Sequence, residues 1–236
     1  MADLTAINTE NCRIIKSKLL NGENTEWEAC KIFSKLVDDD TEEHNCLGCQ
    51  FVDLHQAILI NFESMDASRL SEEFYFKTYL FWLYQNVERI YELFELVNPN
   101  SKNPLLKTFF EKNFIATKQI KRWTNFVKHP KAFQFAHHPK YVYESDAALI
   151  PAGSIILDTA RIEYFYQGTS RNKELHKEIS KKSNVIVKIP DLNLLTDKFC
   201  EEFKIFTKWI CENEMIAEFL KDESTIDEYY ENELLG

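Results

Sequence analysis

The sequence predicts a mainly α-helical protein, an antiparallel helical bundle with a small β-rich insertion. Its 236 residues include only five Gly and six Pro, which argues against a loop-rich or all-β fold. Several long segments repeat apolar side chains at helical spacing. From about 133 to 189 the pattern changes to short pieces rich in Val, Ile, Tyr and Phe, separated by turn residues, which are typical of strands.

The first part of the chain predicts short helices separated by an acidic loop. An apolar patch over 14–20 favours a short helix within a polar segment. Thr25 and Glu28 have the spacing of a capping box, so a second helix is expected over 26–37. The segment 38–50 is interpreted as an acidic loop, because a negative cluster is unfavourable at the C-terminal end of a helix dipole.

The next segment predicts the centre of the bundle. The apolar run 51–62 fits a helix or a strand, and we favour a helix because its neighbours are helical. Ser71 then opens a long helix that Asn98 and Pro99 end. Apolar side chains cover most of its faces, so several partners must bury it.

Two further helices are expected to pack against this central one. The short connection around 98–104 implies that the helix after it runs antiparallel to the central helix. Asp191 begins the last long helix, whose apolar stripe over 194–210 predicts packing back onto the bundle. Glu88 and Arg89 are the only charges in the middle of the central helix, and we interpret them as a surface pair in preference to site residues.

Charge reverses sign over 102–140. This segment holds nine Lys and Arg residues and one acid, Glu111, in a chain whose net charge is −10. Such a reversal indicates a phosphate-bearing partner, since Lys and Arg bind nucleic acid by neutralising phosphates. A solvated basic helix paired with an acidic neighbour explains the charge equally well.

The stretch 103–129 places residues suited to phosphate chemistry on one helical face. Arg122, Asn125 and His129 are spaced by three and four residues, and Lys118 shares their face. Arg can hold a phosphate bidentately, and His can move a proton near neutral pH. The core-facing stripe of the same stretch is expected to comprise Phe109, Ala116, Ile120, Trp123 and Val127.

Arg122, six intervening residues and His129, with Asn125 between them, resemble the R-x(4 to 6)-H motif of HEPN domains. These are small α-helical bundles found in RNases of toxin-antitoxin, abortive-infection and CRISPR systems. The resemblance covers about residues 71–130, with the helix near 191–212 as a closing member. In the family a polar residue often follows the arginine directly, whereas this chain has Trp123 there.

The resemblance implies a function and a set of roles. Arg122 and His129 would be catalytic and Asn125 would support them, in a metal-independent endoribonuclease of a bacterial toxin or phage-defence system. It also implies a homodimer, because family members build one composite site from two motifs. RNA would be the substrate, and an antitoxin or defence-system protein is a further expected partner. The alternative is a non-catalytic helical module whose basic face binds nucleic acid or a partner protein.

Basic residues around the motif extend the predicted nucleic-acid contact. They are Lys118, Lys121, Lys128, Lys131, His137 and His138. The two histidines belong to the second of two His-Pro-Lys repeats, and a turn with two exposed imidazoles is the favoured reading over a cleft lining.

The composition also bears on compartment and cofactors. No run approaches the length of a membrane helix and the N-terminus lacks a signal-peptide core, so we expect a cytoplasmic protein with reduced thiols. No cofactor or metal is expected. His44, Cys46 and Cys49 suggest a zinc-dependent regulator, which ranks well below the other readings because no second pair completes four ligands.

The chain is expected to form one domain over 1–220, including the insertion at about 133–189. An acidic tail follows over 221–236. A solvated, mobile tail is the preferred reading, and an intramolecular phosphate mimic covering the basic face is the alternative.

Overall fold

The computed structural model describes residues 3–20, 47–128, 142–143, 154–158, 184–188 and 190–213, and these are mainly helical. The α-helices within these ranges are α1 (Leu4–Ile15), α2 (Leu47–Glu63), α3 (Glu72–Val97), α4 (Pro104–Asn113), α5 (Ile115–Lys128) and α6 (Leu192–Glu212). A π-helical turn, Lys16–Leu20, continues α1, and 3₁₀ turns occupy Ala67–Arg69 and Pro99–Ser101. The predicted helical bundle is confirmed, whereas the helix expected over 26–37 lies outside the described residues.

Helix α3 is the central member of the bundle, as the sequence predicts. Ser71 caps it by accepting a hydrogen bond from the Phe74 amide at 3.2 Å, and Asn98 ends it. One side of α3 packs on α6: Tyr79 meets Thr196 near one end, and Phe94 stacks on Trp209 near the other. Because both contacts advance together along the chain, α3 and α6 run parallel.

A buried polar network joins α1, α3 and α6. The Tyr75 hydroxyl donates to Asn8 Oδ1 at 3.0 Å and accepts from Asn11 Nδ2 at 3.1 Å. The hydroxyls of Tyr79 and Thr196 are 2.6 Å apart, and Thr196 lies 3.2 Å from Asn11 Oδ1. Asn8 also donates to a backbone carbonyl of α2 at 2.6 Å, so the network fixes the relative positions of four helices.

Helix α5 runs antiparallel to α3. Lys121, near the start of α5, lies over Tyr91, whereas Lys128, at its end, lies over Tyr84. The sequence-based prediction that the motif helix packs antiparallel to the central helix is therefore confirmed.

The described part of the basic stretch, 103–128, forms two helices instead of the single one that the sequence suggests. Phe114 leaves the helical region, with φ −116° and ψ 57°, and its ring is fully buried. The chain therefore turns between α4 and α5 in order to bury this ring. Phe109 consequently belongs to α4, where it is half-buried against Phe94, Phe114 and Trp209.

Two smaller expectations are also corrected. The segment 38–50 is not loop throughout, because α2 begins at Leu47. In an α-helix each amide donates to the carbonyl four residues earlier. A helix that begins at Leu47 therefore gives the amide of the buried Phe51 an acceptor, the carbonyl of Leu47. Leu194 was expected on the core stripe of α6 but is 51% exposed, since it lies in the first turn off the stripe formed by Leu195 and Phe199.

Three strands form one antiparallel sheet. They are β1 (Val142–Tyr143), β2 (Ser154–Asp158) and β3 (Asn184–Lys188), in the order β1-β3-β2. β3 is central, with Val187 paired with both Val142 and Ile155. The insertion over 133–189 as a whole stays a prediction, because most of it lies outside the described residues.

In the described ranges, no helix combines the length and apolar character that crossing a bilayer requires.

Candidate nucleic-acid interface

Helix α5 is anchored by three of the side chains that the sequence predicts to face the core, whereas the side chain of Val127 lies outside what the structure describes. Ala116, Ile120 and Trp123 are all buried, and the Trp123 ring packs edge-on against Phe76 of α3 with centroids 5.5 Å apart. The position directly after Arg122 is thus a core position. A polar side chain there would face the apolar interior of the bundle.

The N-terminus of α5 is capped by a side chain from another helix. Its own preceding residue, Phe114, has no polar side chain, so the first amides need an acceptor from outside. Glu202 of α6 supplies it, accepting from the amides of Ala116 at 2.6 Å and Thr117 at 2.8 Å, and from the Thr117 hydroxyl at 2.8 Å. This contact fixes where α5 begins and therefore where its basic face lies.

The buried position of Glu202 also shifts its titration. Burial raises the pKa of this carboxyl above its ordinary value, although the hydrogen bonds from Thr117 and Ala116 act in the opposite direction. The donors at the positive end of the helix dipole favour the ionised carboxylate, and the larger effect of burial opposes it.

Lys121 and Lys128 are held by tyrosine rings of α3. The Lys121 ammonium lies 3.5 Å from the ring centroid of Tyr91, and the Lys128 ammonium lies 4.1 Å from that of Tyr84. Burial lowers the pKa of Lys121 and raises that of Tyr91 to about 12. A ring face attracts a cation without neutralising it, so these contacts position positive charge at the surface.

Arg122 and Lys118 likewise have no carboxylate partner among the described residues. Arg122 is half-buried, and within the described part of the chain no hydrogen bond or ion pair holds its guanidinium. Its positive charge is close enough to Tyr91 to lower the pKa of that phenol, against the larger effect of burial. Lys118 donates to the backbone carbonyl of Glu111 at 2.7 Å, which leaves its charge uncompensated as well.

Glu88 lies among these cations, a position that the sequence reading missed. Its carboxylate is 4.0 Å from the Lys128 ammonium, while Arg89 bonds Glu92 at 3.1 Å. Glu88 and Arg89 are expected to pair with each other at the surface, but in the structure Glu88 contacts Lys128 of α5 and Arg89 contacts Glu92 of α3. The signal was the spacing of Tyr84, Glu88 and Tyr91, which puts the carboxylate and both rings on one face of α3.

We call this surface the α3/α5 face and define it by Tyr84, Glu88, Tyr91, Lys118, Lys121, Arg122, Asn125 and Lys128. Asn125 is half-buried on the same side of α5, between Lys121 and Lys128. From Lys118 to Lys128 the face extends for about 15 Å, at a rise of about 1.5 Å per residue.

Several predicted site residues lie outside the described residues. They are His129, Lys131, His137 and His138. The structure therefore places Arg122, Asn125 and three of the predicted lysines on one face, while the Arg122 and His129 pair stays a prediction.

The zinc hypothesis is likewise left as a prediction. His44 and Cys46 lie outside the described residues, and Cys49 lies on α2. Across the ranges that the structure does describe, no three His, Cys, Asp or Glu side chains come together as metal ligands.

The whole chain was compared with known protein families, curated proteins and solved structures. No protein-family model, no curated protein and no solved structure matches it.

Proposed function

We propose that the α3/α5 face binds the phosphate backbone of RNA. The observation that supports this most strongly is the absence of carboxylate partners for Lys118, Lys121 and Arg122 within the described residues. In a chain of net charge −10, acidic groups are plentiful, yet among the described contacts Lys118 is held by a carbonyl, Lys121 is held by a ring, and none holds Arg122. Uncompensated cations in a row are what a polyanion requires.

We propose further that the face cleaves the RNA that it binds. Arg122 would stabilise the charge that develops on the phosphate, and His129 would transfer a proton. The 2′-oxygen would attack the adjacent phosphorus and the bond to the 5′-oxygen would break. The products would be a 2′,3′-cyclic phosphate and a 5′-hydroxyl, and the step requires no metal ion.

This proposal includes the finer assignments that follow from the HEPN resemblance. The bundle would be HEPN-like with the β-rich segment as an insertion, and two copies would form a homodimer that joins two Arg122 and His129 pairs. The protein would act in the cytoplasm within a bacterial toxin or phage-defence system, with an antitoxin or defence protein as partner. Asn125 would orient the substrate or the imidazole.

The proposal is tested with purified protein and a single-stranded RNA in EDTA. We expect cleavage to continue in the chelator, mass spectrometry to show cyclic phosphate ends, and DNA of the same sequence to stay intact for lack of a 2′-hydroxyl. Cleavage that is lost in EDTA and restored by Mg²⁺ would contradict the mechanism. Light scattering that gives the mass of one chain, 27.9 kDa, at micromolar concentration would contradict the dimer.

A second function is supported by one specific observation. Lys121 and Lys128 are fixed by Tyr91 and Tyr84, which is an arrangement for holding an anion and needs no proton-transfer group. A non-catalytic module that binds RNA through this face would show binding without turnover in the same assay. If the face binds an acidic partner protein in place of RNA, the same assay would show no RNA binding.

A further inference from the structure

The cations of the α3/α5 face are not equivalent. Lys118, Lys121 and Arg122 have no carboxylate partner among the described residues, whereas Lys128 has Glu88 at 4.0 Å. Both side chains of this pair are partly exposed, Lys128 at 41% and Glu88 at 48%. The pair therefore lies where a ligand can reach it.

Glu88 interacts with other residues of the face besides Lys128. Its charge also acts on Lys121, where it favours the protonated form against the larger opposing effect of burial. It lies close enough to Tyr84 to help burial raise the pKa of that phenol. The carboxylate thus projects from α3 into the row of cations, in the region where a phosphate would have to bind.

We infer, on the basis of the proposed RNA-binding face, that Glu88 competes with an RNA phosphate for Lys128. The ring of Tyr84 keeps the Lys128 ammonium in place whichever anion contacts it. Binding then exchanges one anionic partner of Lys128 for another, and the displaced carboxylate repels the incoming strand. Glu88 is in this way a specificity-determining residue that lowers affinity for all phosphates.

The consequence is selection for polyanions. A lone phosphate that reaches only Lys128 gains little by displacing Glu88, because it replaces one ion pair with another. A strand that also contacts Arg122 gains a phosphate contact that no carboxylate opposes among the described residues. The ligand class is therefore a polynucleotide with several adjacent phosphates, and mononucleotides are disfavoured.

The experiment measures RNA affinity after the charge of Glu88 is removed. Glu88→Gln keeps the size of the side chain, and Glu111→Gln is the matched control. Glu111 is an exposed acid within the same basic segment whose carboxylate has no contact with Lys121 or Lys128 among the described interactions. All proteins carry His129→Ala so that the RNA probe is not consumed.

Fluorescence anisotropy with a short labelled single-stranded RNA gives the readout. Since exposed ion pairs contribute up to about 1 kcal/mol, Glu88→Gln is expected to tighten binding about three- to fivefold. The slope of log affinity against log salt should become steeper by about 0.7, because one more phosphate is then neutralised on a single strand. Glu111→Gln should change affinity less than twofold, as expected of a screened charge.

A third variant tests whether Lys128 is the residue for which Glu88 competes. In a Lys128→Gln protein, Glu88→Gln should tighten binding clearly less than it does when Lys128 is present, because only the repulsion between Glu88 and the strand is then left to relieve. Equal effects of Glu88→Gln and Glu111→Gln in the original background would show that Glu88 acts only through net charge, and would overturn the inference while leaving the proposed function in place. No RNA binding by any of the proteins would overturn both.

Discussion

The cap that Glu202 places on α5 leads to the most detailed prediction. In Glu202→Gln the side chain keeps its volume, but one carboxylate oxygen becomes an NH₂ group. Both oxygens of Glu202 accept from the N-terminus of α5, at 2.6–2.8 Å. Whichever end the amide nitrogen takes, it faces an N–H donor of Ala116 or Thr117 and leaves that donor without an acceptor.

The expected loss follows from these contacts. A buried donor that loses its acceptor costs about 1–3 kcal/mol. We therefore expect Glu202→Gln to lower the free energy of unfolding by about 2 kcal/mol at neutral pH. Glu201→Gln is the matched control, since Glu201 is the exposed neighbour whose only described contact is the ion pair with Lys18, and its loss should stay below about 1 kcal/mol.

The pH dependence has a definite sign. Burial raises the pKa of Glu202 in the folded protein above the ordinary value of 4.5, so the folded state binds this proton more tightly than the unfolded chain does. The contribution of Glu202 to stability is therefore greatest below pH 4.5 and is lost as pH rises through the folded pKa. Gln does not titrate, so the stability advantage of the original protein over Glu202→Gln should grow as pH falls from neutral towards 4.5.

Urea denaturation followed by far-ultraviolet circular dichroism measures these free energies at each pH. Equal losses for Glu202→Gln and Glu201→Gln would refute the cap. A difference between the original protein and Glu202→Gln that stays constant from pH 7 to pH 4.5 would refute the raised pKa.

Three further predictions concern stability. Ser101 has φ 53°, which strains any residue with a Cβ, so Ser101→Gly should raise the unfolding free energy by about 0.5–1 kcal/mol in urea titrations, and a decrease would contradict the assigned backbone. The amide of Asn86 is fully buried with no hydrogen-bond partner among the described residues, so Asn86→Leu should raise the melting temperature, whereas a lower one would point to an unseen polar contact. Thr196→Val removes the partner of the Tyr79 hydroxyl and should cost about 1–3 kcal/mol in the same titrations; a neutral result would show that the buried network adds no stability.

The parts of the fold that were predictable depend on local signals. Ser71 and Asp191 are capping residues, and each accepts a hydrogen bond from an amide three residues later in the structure. The apolar periodicity between these caps and the helix ends is equally local. Such features depend on neighbours within a few residues, so one sequence is enough to detect them.

Other features depend on distant residues and left no local signal. The break at Phe114 contains no Gly or Pro, and it arises because the ring reaches the core between Phe94, Phe110 and Phe206. Glu202 reads as one acid among several on α6, and only the fold shows that it lies 2.6 Å from an amide on α5. Neither contact can be deduced without knowing which helices adjoin.

The candidate site also combines features that local spacing predicts with contacts that it does not predict. Helical spacing alone put Arg122 and Asn125 on a face away from Ile120 and Trp123, and the burial of the latter two supports that placement. Spacing could not show that tyrosines of α3 hold the lysines of α5, because that contact joins residues about 30 or more positions apart.

The most direct test of the proposed ribonuclease is the rate of RNA cleavage by Arg122→Ala and His129→Ala under single-turnover conditions in EDTA. Arg13→Ala is the matched control, since Arg13 is an exposed arginine paired with Glu10 and lies on α1. We predict that His129→Ala lowers the rate about 10²- to 10⁴-fold with RNA affinity retained, that Arg122→Ala lowers both rate and affinity, and that Arg13→Ala changes neither. Equal turnover by all four proteins, or none by the original protein while it still binds RNA, would contradict the nuclease and leave a binding module.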